Sequence, residues 1–263
     1  MILVEGNIGA GKSTLLTHVF EPLRKLLEGS DDSGDETRLR LVAEPVHRWQ
    51  APGSGSVHGG AVAAADLNLL EAAYSDPRRY AFTMQTYAVA TRVDALLHAI
   101  ARARGSGVRT LVLLCERSVY SDACVFARAA LLRGSLTALE YRVYRDIHVS
   151  LTRVLDARDV ALIVYVDTPP DACAANMRSR QRHEERAVDD AYLRLLHRLH
   201  SERLDGTAAA AEDIGQWPSG VPVLTLHAGQ LAGVTTDARL QDARARDIYQ
   251  ALSAAASCSH SAE

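Results

Sequence analysis

The run Gly6-Asn7-Ile8-Gly9-Ala10-Gly11-Lys12-Ser13-Thr14 fits the pattern G-x-x-x-x-G-K-[ST]. Its chemistry is the cradling of phosphates. Glycines let the backbone curl so that successive N–H groups point inward at phosphate oxygens, and a helix opening near Lys12 adds the positive end of its dipole. Lys12 can reach the β- and γ-phosphates, and the Ser13 hydroxyl can ligate Mg²⁺. A glycine-rich turn that binds nothing would need neither the lysine nor the hydroxyl at these places. The loop predicts a nucleoside triphosphate donor, ATP or another, together with Mg²⁺. It leaves the acceptor open, because switch proteins, ATPases and several kinds of kinase share it.

A second candidate is Glu44, in Ala43-Glu44-Pro45-Val46-His47-Arg48-Trp49, where an apolar run ends. A carboxylate at the carboxyl end of a strand faces the crevice in which open α/β sheets bind ligands. There it could take the proton of an attacking hydroxyl. On position alone, an exposed Glu before a Pro turn accounts for it equally well.

Five apolar runs must position these groups: Ile2–Glu5, Arg40–Glu44, Thr110–Glu116, Ala161–Asp167 and Val221–Leu226. They are near-continuous rather than alternating, as expected of parallel strands buried on both faces. Helical stretches separate them: Lys12–Leu27, Pro77–Arg104, Leu136–Leu155, Asp171–Arg180, Asp189–Leu204 and Ala238–Ala254. Pro77 opens its helix and Gly105 ends it, while Asp189 and Asp190 read as caps for the helix they enter. The alternation predicts an α/β, doubly wound, three-layer fold with a five-stranded parallel sheet and helices on both faces. Glu28–Thr37, Pro52–Gly60 and Gly206–Gly220 read as surface loops, too short to be interdomain linkers. A single domain over residues 1–256 is expected, with a frayed tail at 257–263.

Composition narrows the partners. With 29 basic and 32 acidic side chains the formal net charge is −3, which gives no reason to expect a nucleic-acid polymer or an anionic membrane. No apolar run approaches a membrane span. Cys115, Cys124, Cys173 and Cys258 are scattered without metal-ligand spacing and read as free thiols in a reducing compartment. Met1 leads straight into Ile-Leu-Val-Glu with no charged leader, which points to the cytosol, or to a nucleus reached by diffusion.

Four further blocks, in order, carry a family resemblance. Glu44-Pro45-Val46-x-x-Trp49 is followed by Tyr74-Ser-Asp-Pro-x-x-Tyr-x-Phe-Thr-Met-Gln85-Thr-Tyr-x-x-x-x-Arg92. Then come Glu116-Arg117-Ser118-Val119-Tyr120-Ser121-Asp122 with Val125-Phe126-Ala127, and Arg180-x-Arg182-x-Glu184-Glu185. Together with the phosphate loop, they resemble the deoxynucleoside kinases of the deoxycytidine/deoxyguanosine kinase type, from about Ile2 to Leu226. The resemblance implies a P-loop kinase with an Arg-rich lid at about 178–190, assembled as a homodimer. It implies Glu44 as base for a 5′-hydroxyl, Arg117 on that hydroxyl and the transferring phosphate, and Glu116 in the Mg²⁺ shell. Tyr74 and Glu185 would bind the sugar 3′-hydroxyl. Gln85 would pair with the base edge, Phe126 would stack on its face and Trp49 would wall the pocket. Arg180 and Arg182 would close over the donor phosphates. The residues themselves allow this: a carboxamide offers a donor and an acceptor for a nucleobase, and phosphoryl transfer is mostly positioning and charge neutralisation. For Phe126 and Trp49, core burial competes evenly with a pocket role.

In the resembling family an Arg/Asp pair at the places of Arg92 and Asp122 goes with deoxycytidine, deoxyadenosine and deoxyguanosine. A charged pair deep in a pocket serves amino and ring-nitrogen groups and matches a thymine methyl poorly, so thymidine is disfavoured. Two departures stand out. Asn176 replaces a first lid arginine, and His227-Ala228-Gly229-Gln230-Leu231 replaces an acidic–aromatic loop. Competing accounts are a nucleoside monophosphate kinase of thymidylate-kinase type, which would show Asp-Arg-Tyr in place of Glu116-Arg117-Ser118, and a non-catalytic relative, which would have lost the loop or Glu44.

Overall fold

The computed structural model describes residues 1–29, 37–53, 67–104, 108–205, 217–218 and 220–259. Five parallel strands form one sheet in the order β2-β3-β1-β4-β5. They are β1 (Ile2–Gly6), β2 (Thr37–Val42), β3 (Thr110–Glu116), β4 (Leu162–Asp167) and β5 (Val223–His227). Side chains alternate across the central strand. Ile2 and Val4 pack with Leu15, Leu16 and Val19 of α1 (Lys12–Glu28), while Leu3 packs with Val89 and Val93 of α4 (Pro77–Arg104). Both faces are therefore covered, which explains the near-continuous apolar strands. Among the described residues no helix is long and apolar enough to cross a membrane.

The predicted strands and long helices are present with shifted ends. β2 begins at Thr37 and stops at Val42, so Glu44 lies in the loop beyond the strand. α7 (Ala138–Thr152) starts later than Leu136 because Thr137 caps it, its hydroxyl accepting from the Glu140 N–H while Glu140 bonds back. α8 (Pro170–Arg180) and α9 (Asp190–Leu204) are as expected within a residue. α11 runs from Ala238 to Ser259, into the start of the tail expected at 257–263; residues 260–263 lie outside the described ones. Most of the three predicted loops also lies outside the described residues. Among the described residues, several short helical pieces were not foreseen: α2 (Val46–Gln50), α3 (Leu69–Ser75), α5 (Val119–Ser121) continuing through a π-helical turn (Asp122–Ala127), α6 (Arg128–Leu132), α10 (Ala228–Leu231) and the 3₁₀ turns Ala157–Asp159 and His183–Ala187.

Candidate active site

Register places the site. Val4 of β1 pairs with Glu116 of β3, and Val42 of β2 with Cys115. The three chains leave the sheet side by side, so the phosphate loop, Glu44 and Glu116-Arg117 converge at the carboxyl ends of the strands, where such sheets bind ligands. A cavity of about 360 Å³ opens there.

The loop is fixed by its carbonyls. The Gly6 oxygen accepts from Arg117 (2.7 Å) and Lys12 (3.1 Å), that of Asn7 from Lys12 (2.7 Å), that of Gly9 from Asn176 (2.8 Å) and that of Ala10 from Thr168 (2.9 Å). The Asn7 side chain ties the loop to α9, donating to the Leu193 carbonyl at 2.9 Å. At Gly9, φ is +74°, and a Cβ would sit 2.4 Å from the Cys173 oxygen, so no other residue fits. α1 begins at a left-handed Gly11 with no side-chain cap and no acidic residue in its first turn. Its first N–H groups and dipole are thus left for an anion. The Ser13 hydroxyl donates to Glu116 at 2.5 Å. That hydroxyl and carboxylate are hard oxygen donors on the cavity wall and suit Mg²⁺. Among the described residues no group of three His, Cys, Asp or Glu could hold a metal by itself, so the ion would share its ligands with donor phosphates.

Across the cavity, one oxygen of Glu44 takes both of its ion-pair contacts. Oε1 accepts from Arg92 at 3.2 Å and lies 3.0 Å from Arg117 Nε in an ion pair, and Oε2 accepts no hydrogen bond among the described residues. Burial pushes the Glu44 carboxyl up, but Arg117, Arg92 and Lys12 outweigh it and hold it below its usual value. Arg92 also donates to both oxygens of Asp122 (2.8 and 3.1 Å) and to the Glu116 carbonyl (2.9 Å). Burial works against its charge; Asp122 and Glu44 more than restore it. Arg117 holds φ at +63°, rare for a residue with a side chain, while its N–H bonds the Val4 carbonyl at 2.9 Å. Its guanidinium lies 4.7 Å from the centre of the Phe126 ring. The turn is held from below, since Ser118 donates to the buried Glu5 at 2.5 Å and accepts from the Ser121 N–H at 3.2 Å.

The cavity wall gathers most of the predicted residues: Gly9 to Thr14, Glu44, Trp49, Tyr74, Gln85, Glu116, Arg117, Asp122, Phe126, Arg180, Arg182 and Glu185. Gly6 and Asn7 lie beneath it. Arg92 also stays off it, buried behind Asp122, because its donors are taken up by Asp122, Glu116 and Glu44. Trp49 donates its indole N–H to Thr91 at 2.9 Å and walls the apolar end with Leu70, Met84 and Ala88. Gln85 faces the cavity with no protein partner for its carboxamide among the described residues. The arginines of the lid hold Glu185, Arg180 at 2.5 and 3.0 Å and Arg182 at 3.2 Å. Glu184 accepts from Gln50 (2.7 Å) and Asn68 (2.9 Å), docking the turn His183–Ala187 onto α2 and α3. Leu70, Ala73 and Met84 had not been singled out. A signal for α3 was present, since Asn68 stands three residues before Glu71 and caps the helix, its side-chain oxygen accepting from the Glu71 N–H.

A phosphate loop facing a carboxylate across a part-apolar cavity defines a P-loop phosphotransferase with a small-molecule acceptor. The sequence model of the deoxynucleoside kinase family matches residues 2–238, and the chain belongs to that family. It is 32% identical over 203 residues to a probable deoxycytidine kinase of Fowlpox virus, covering 77% of this chain and 71% of that one. Deoxycytidine kinase 2 of Gallus gallus is 34% identical (76% and 71% covered). The mitochondrial thymidine kinase 2 of Homo sapiens is 30% identical (87% and 70% covered). The chain is accordingly a deoxynucleoside kinase, a phosphotransferase, and which base it prefers has to be read from its own pocket.

Proposed function

We propose that the chain transfers the γ-phosphoryl group of ATP, or of another nucleoside triphosphate, to the 5′-hydroxyl of a deoxynucleoside, favouring purine deoxynucleosides and deoxycytidine over thymidine. The observation that carries this is Glu44, ionised and pinned through one oxygen, while the other accepts no hydrogen bond among the described residues and can take a hydroxyl proton. Glu44 takes that proton as the 5′-oxygen bonds the γ-phosphorus and the bond to the β-phosphate oxygen breaks. Arg117 joins the Glu44 side to the phosphate loop, so it can steady both the nucleophile and the transferring group. Lys12, Arg180 and Arg182 neutralise the phosphates, and Mg²⁺, held by Ser13 and Glu116 with the donor, would screen the charge that develops on the leaving group. Tyr74 and Glu185 take the 3′-hydroxyl, Gln85 the base edge, and Phe126 and Trp49 its faces. Asp122, fixed by Arg92, presents acceptor oxygens that suit an amino group and not a methyl.

Two coarser features go with this reading. On α7, Leu139 and Val143 are exposed (72% and 43%) one turn apart, while Tyr141, Tyr144 and His148 face inward. The outer stripe supports a homodimer. Buried cysteines outside any disulfide, Cys115 and Cys173 among them, support a reducing compartment, the cytosol or nucleus. The test is a phosphorylation assay with ATP and Mg²⁺ against all four deoxynucleosides and their monophosphates. Phosphorylation of deoxycytidine or a deoxypurine, with little on thymidine, is expected. Turnover of monophosphates alone would replace the reading with a nucleotide kinase.

A further inference from the structure

The rim of the cavity is spanned by an ion pair that phosphoryl transfer itself does not require. Arg133 follows the last turn of α6, and Asp189 is the N-cap of α9, accepting from the Tyr192 N–H at 2.6 Å. The two guanidinium nitrogens of Arg133 donate to the two oxygens of Asp189 at 3.0 and 2.7 Å. The same guanidinium lies 5.1 Å from the centre of the Tyr192 ring. All three side chains line the cavity that holds Glu44 and Gln85. Arg133 and Asp189 are 37% and 53% exposed, which puts them at its edge. As a cap Asp189 needs only one oxygen; its bidentate fork with a residue 56 positions away is a second task.

What the pair joins gives that task its meaning. On one side is the wall of the π-helical turn and α6, which carries Asp122 and Phe126. On the other is the end of the lid turn, which carries Glu185. The near side of that turn is already fastened, through Glu184 to Gln50 and Asn68 and through His183 to Glu71 (3.2 Å). Arg133–Asp189 fastens the far side. Tyr192, packed between Arg133 and the core, lines the same cavity as Tyr74, so the pair adjoins the residues read as sugar-binding.

We propose that Arg133 and Asp189 form a clasp over the acceptor end of the cavity, positioning Tyr74 and Glu185 for the sugar and so setting affinity for the deoxynucleoside but not for the donor. The clasp rests on the reading of this cavity as the acceptor site. An exposed bidentate pair is worth up to about 1 kcal/mol, so losing it raises the acceptor KM by roughly threefold to fivefold. Arg133→Met and Asp189→Asn, the latter keeping the helix cap, are each compared with the double variant, with acceptor and donor KM and kcat measured separately. Each single change is expected to raise the acceptor KM alone, with the double change no worse than either. Raised salt should move the unaltered protein toward the variants. Arg133→Lys, charged but unable to fork, should fall between. An unchanged acceptor KM, additive single effects, or equal shifts in donor KM and kcat would overturn the clasp. An unaltered protein that phosphorylates no deoxynucleoside would overturn the acceptor reading, and the clasp with it.

Discussion

The two halves of the site are built in opposite ways. The half read as the donor side is one contiguous loop, its carbonyls pinned outward by side chains from α8 and the β3 and β4 ends while its own Asn7 side chain donates to the Leu193 carbonyl of α9. The half read as the acceptor side is a set of side chains drawn from five separate segments, the ionised ones, Glu44, Arg92, Arg117, Asp122 and Glu185, aimed by charge on one another or, for Glu185, on Arg180 and Arg182. They meet at Arg117, whose guanidinium touches the Gly6 carbonyl and the Glu44 carboxylate together. That residue holds the strained left-handed conformation. Strain at a joint between donor and acceptor is where function would keep it. The contrast teaches that donor grip should survive damage to the acceptor half.

Glu44→Ala tests that separation most severely. Loss of the base should cut kcat by about a hundredfold or more, while Arg117 keeps its bond to Gly6 and donor binding stays within a few-fold. Isothermal titration with a non-hydrolysable nucleotide and single-turnover kinetics read the two effects separately. Near-normal turnover would remove Glu44 as the base, and a collapse of donor affinity would show that the halves are not independent.

A smaller effect is expected from Arg92→Met combined with Asp122→Ala. Removing both partners avoids an unpaired buried charge and leaves an apolar space beside Gln85. Thymidine phosphorylation should rise by roughly tenfold relative to deoxycytidine, as one lost mismatch in a pocket allows. No gain on thymidine would sink the reading of Asp122 as the discriminating group. A general fall in kcat would instead place the weight on the bond from Arg92 to Glu44.

The same contrast decides what could be read from the chain. The donor half was legible because one local pattern contains both its geometry and its chemistry, and the parallel sheet followed from buried apolar runs. The acceptor half was legible only as separate blocks. Nothing local tells that Arg92 would serve Asp122, Glu116 and Glu44 at once while standing off the cavity wall. The helix from Val119 to Leu132 was missed because its middle is π-helical, which carries no 3.6-residue period, although the reciprocal Ser118 and Ser121 cap marked its start. Asp189 was correctly read as a cap, but its pairing with Arg133 is a tertiary fact. Asn176, a departure from the family pattern, turns out to brace the Gly9 carbonyl rather than reach outward.

The mildest test concerns protons and belongs to the donor half alone. Burial, and after it the Arg117 charge, brings the Lys12 ammonium from its ordinary 10.5 down to about 7. Unfolded, Lys12 keeps its proton up to 10.5; folded, only to about 7. Between those values the unfolded chain carries more protons, so this group makes the protein alone more stable as pH rises through that window. Donor phosphates reverse the balance, because a dianionic neighbour favours the charged amine and raises its pKa. Binding at about pH 8 should therefore take up close to one proton at Lys12, and at about pH 6, where the amine is already charged, almost none. Titrating a non-hydrolysable nucleotide in buffers of different ionisation heat measures that uptake directly. Heats independent of buffer at the higher pH would mean that Lys12 is charged before the phosphates arrive, held by Glu44 and Glu116 across the cavity. In that case the donor half would lean on acceptor-side charge after all, and the separation drawn from Arg117 would fail at its other end.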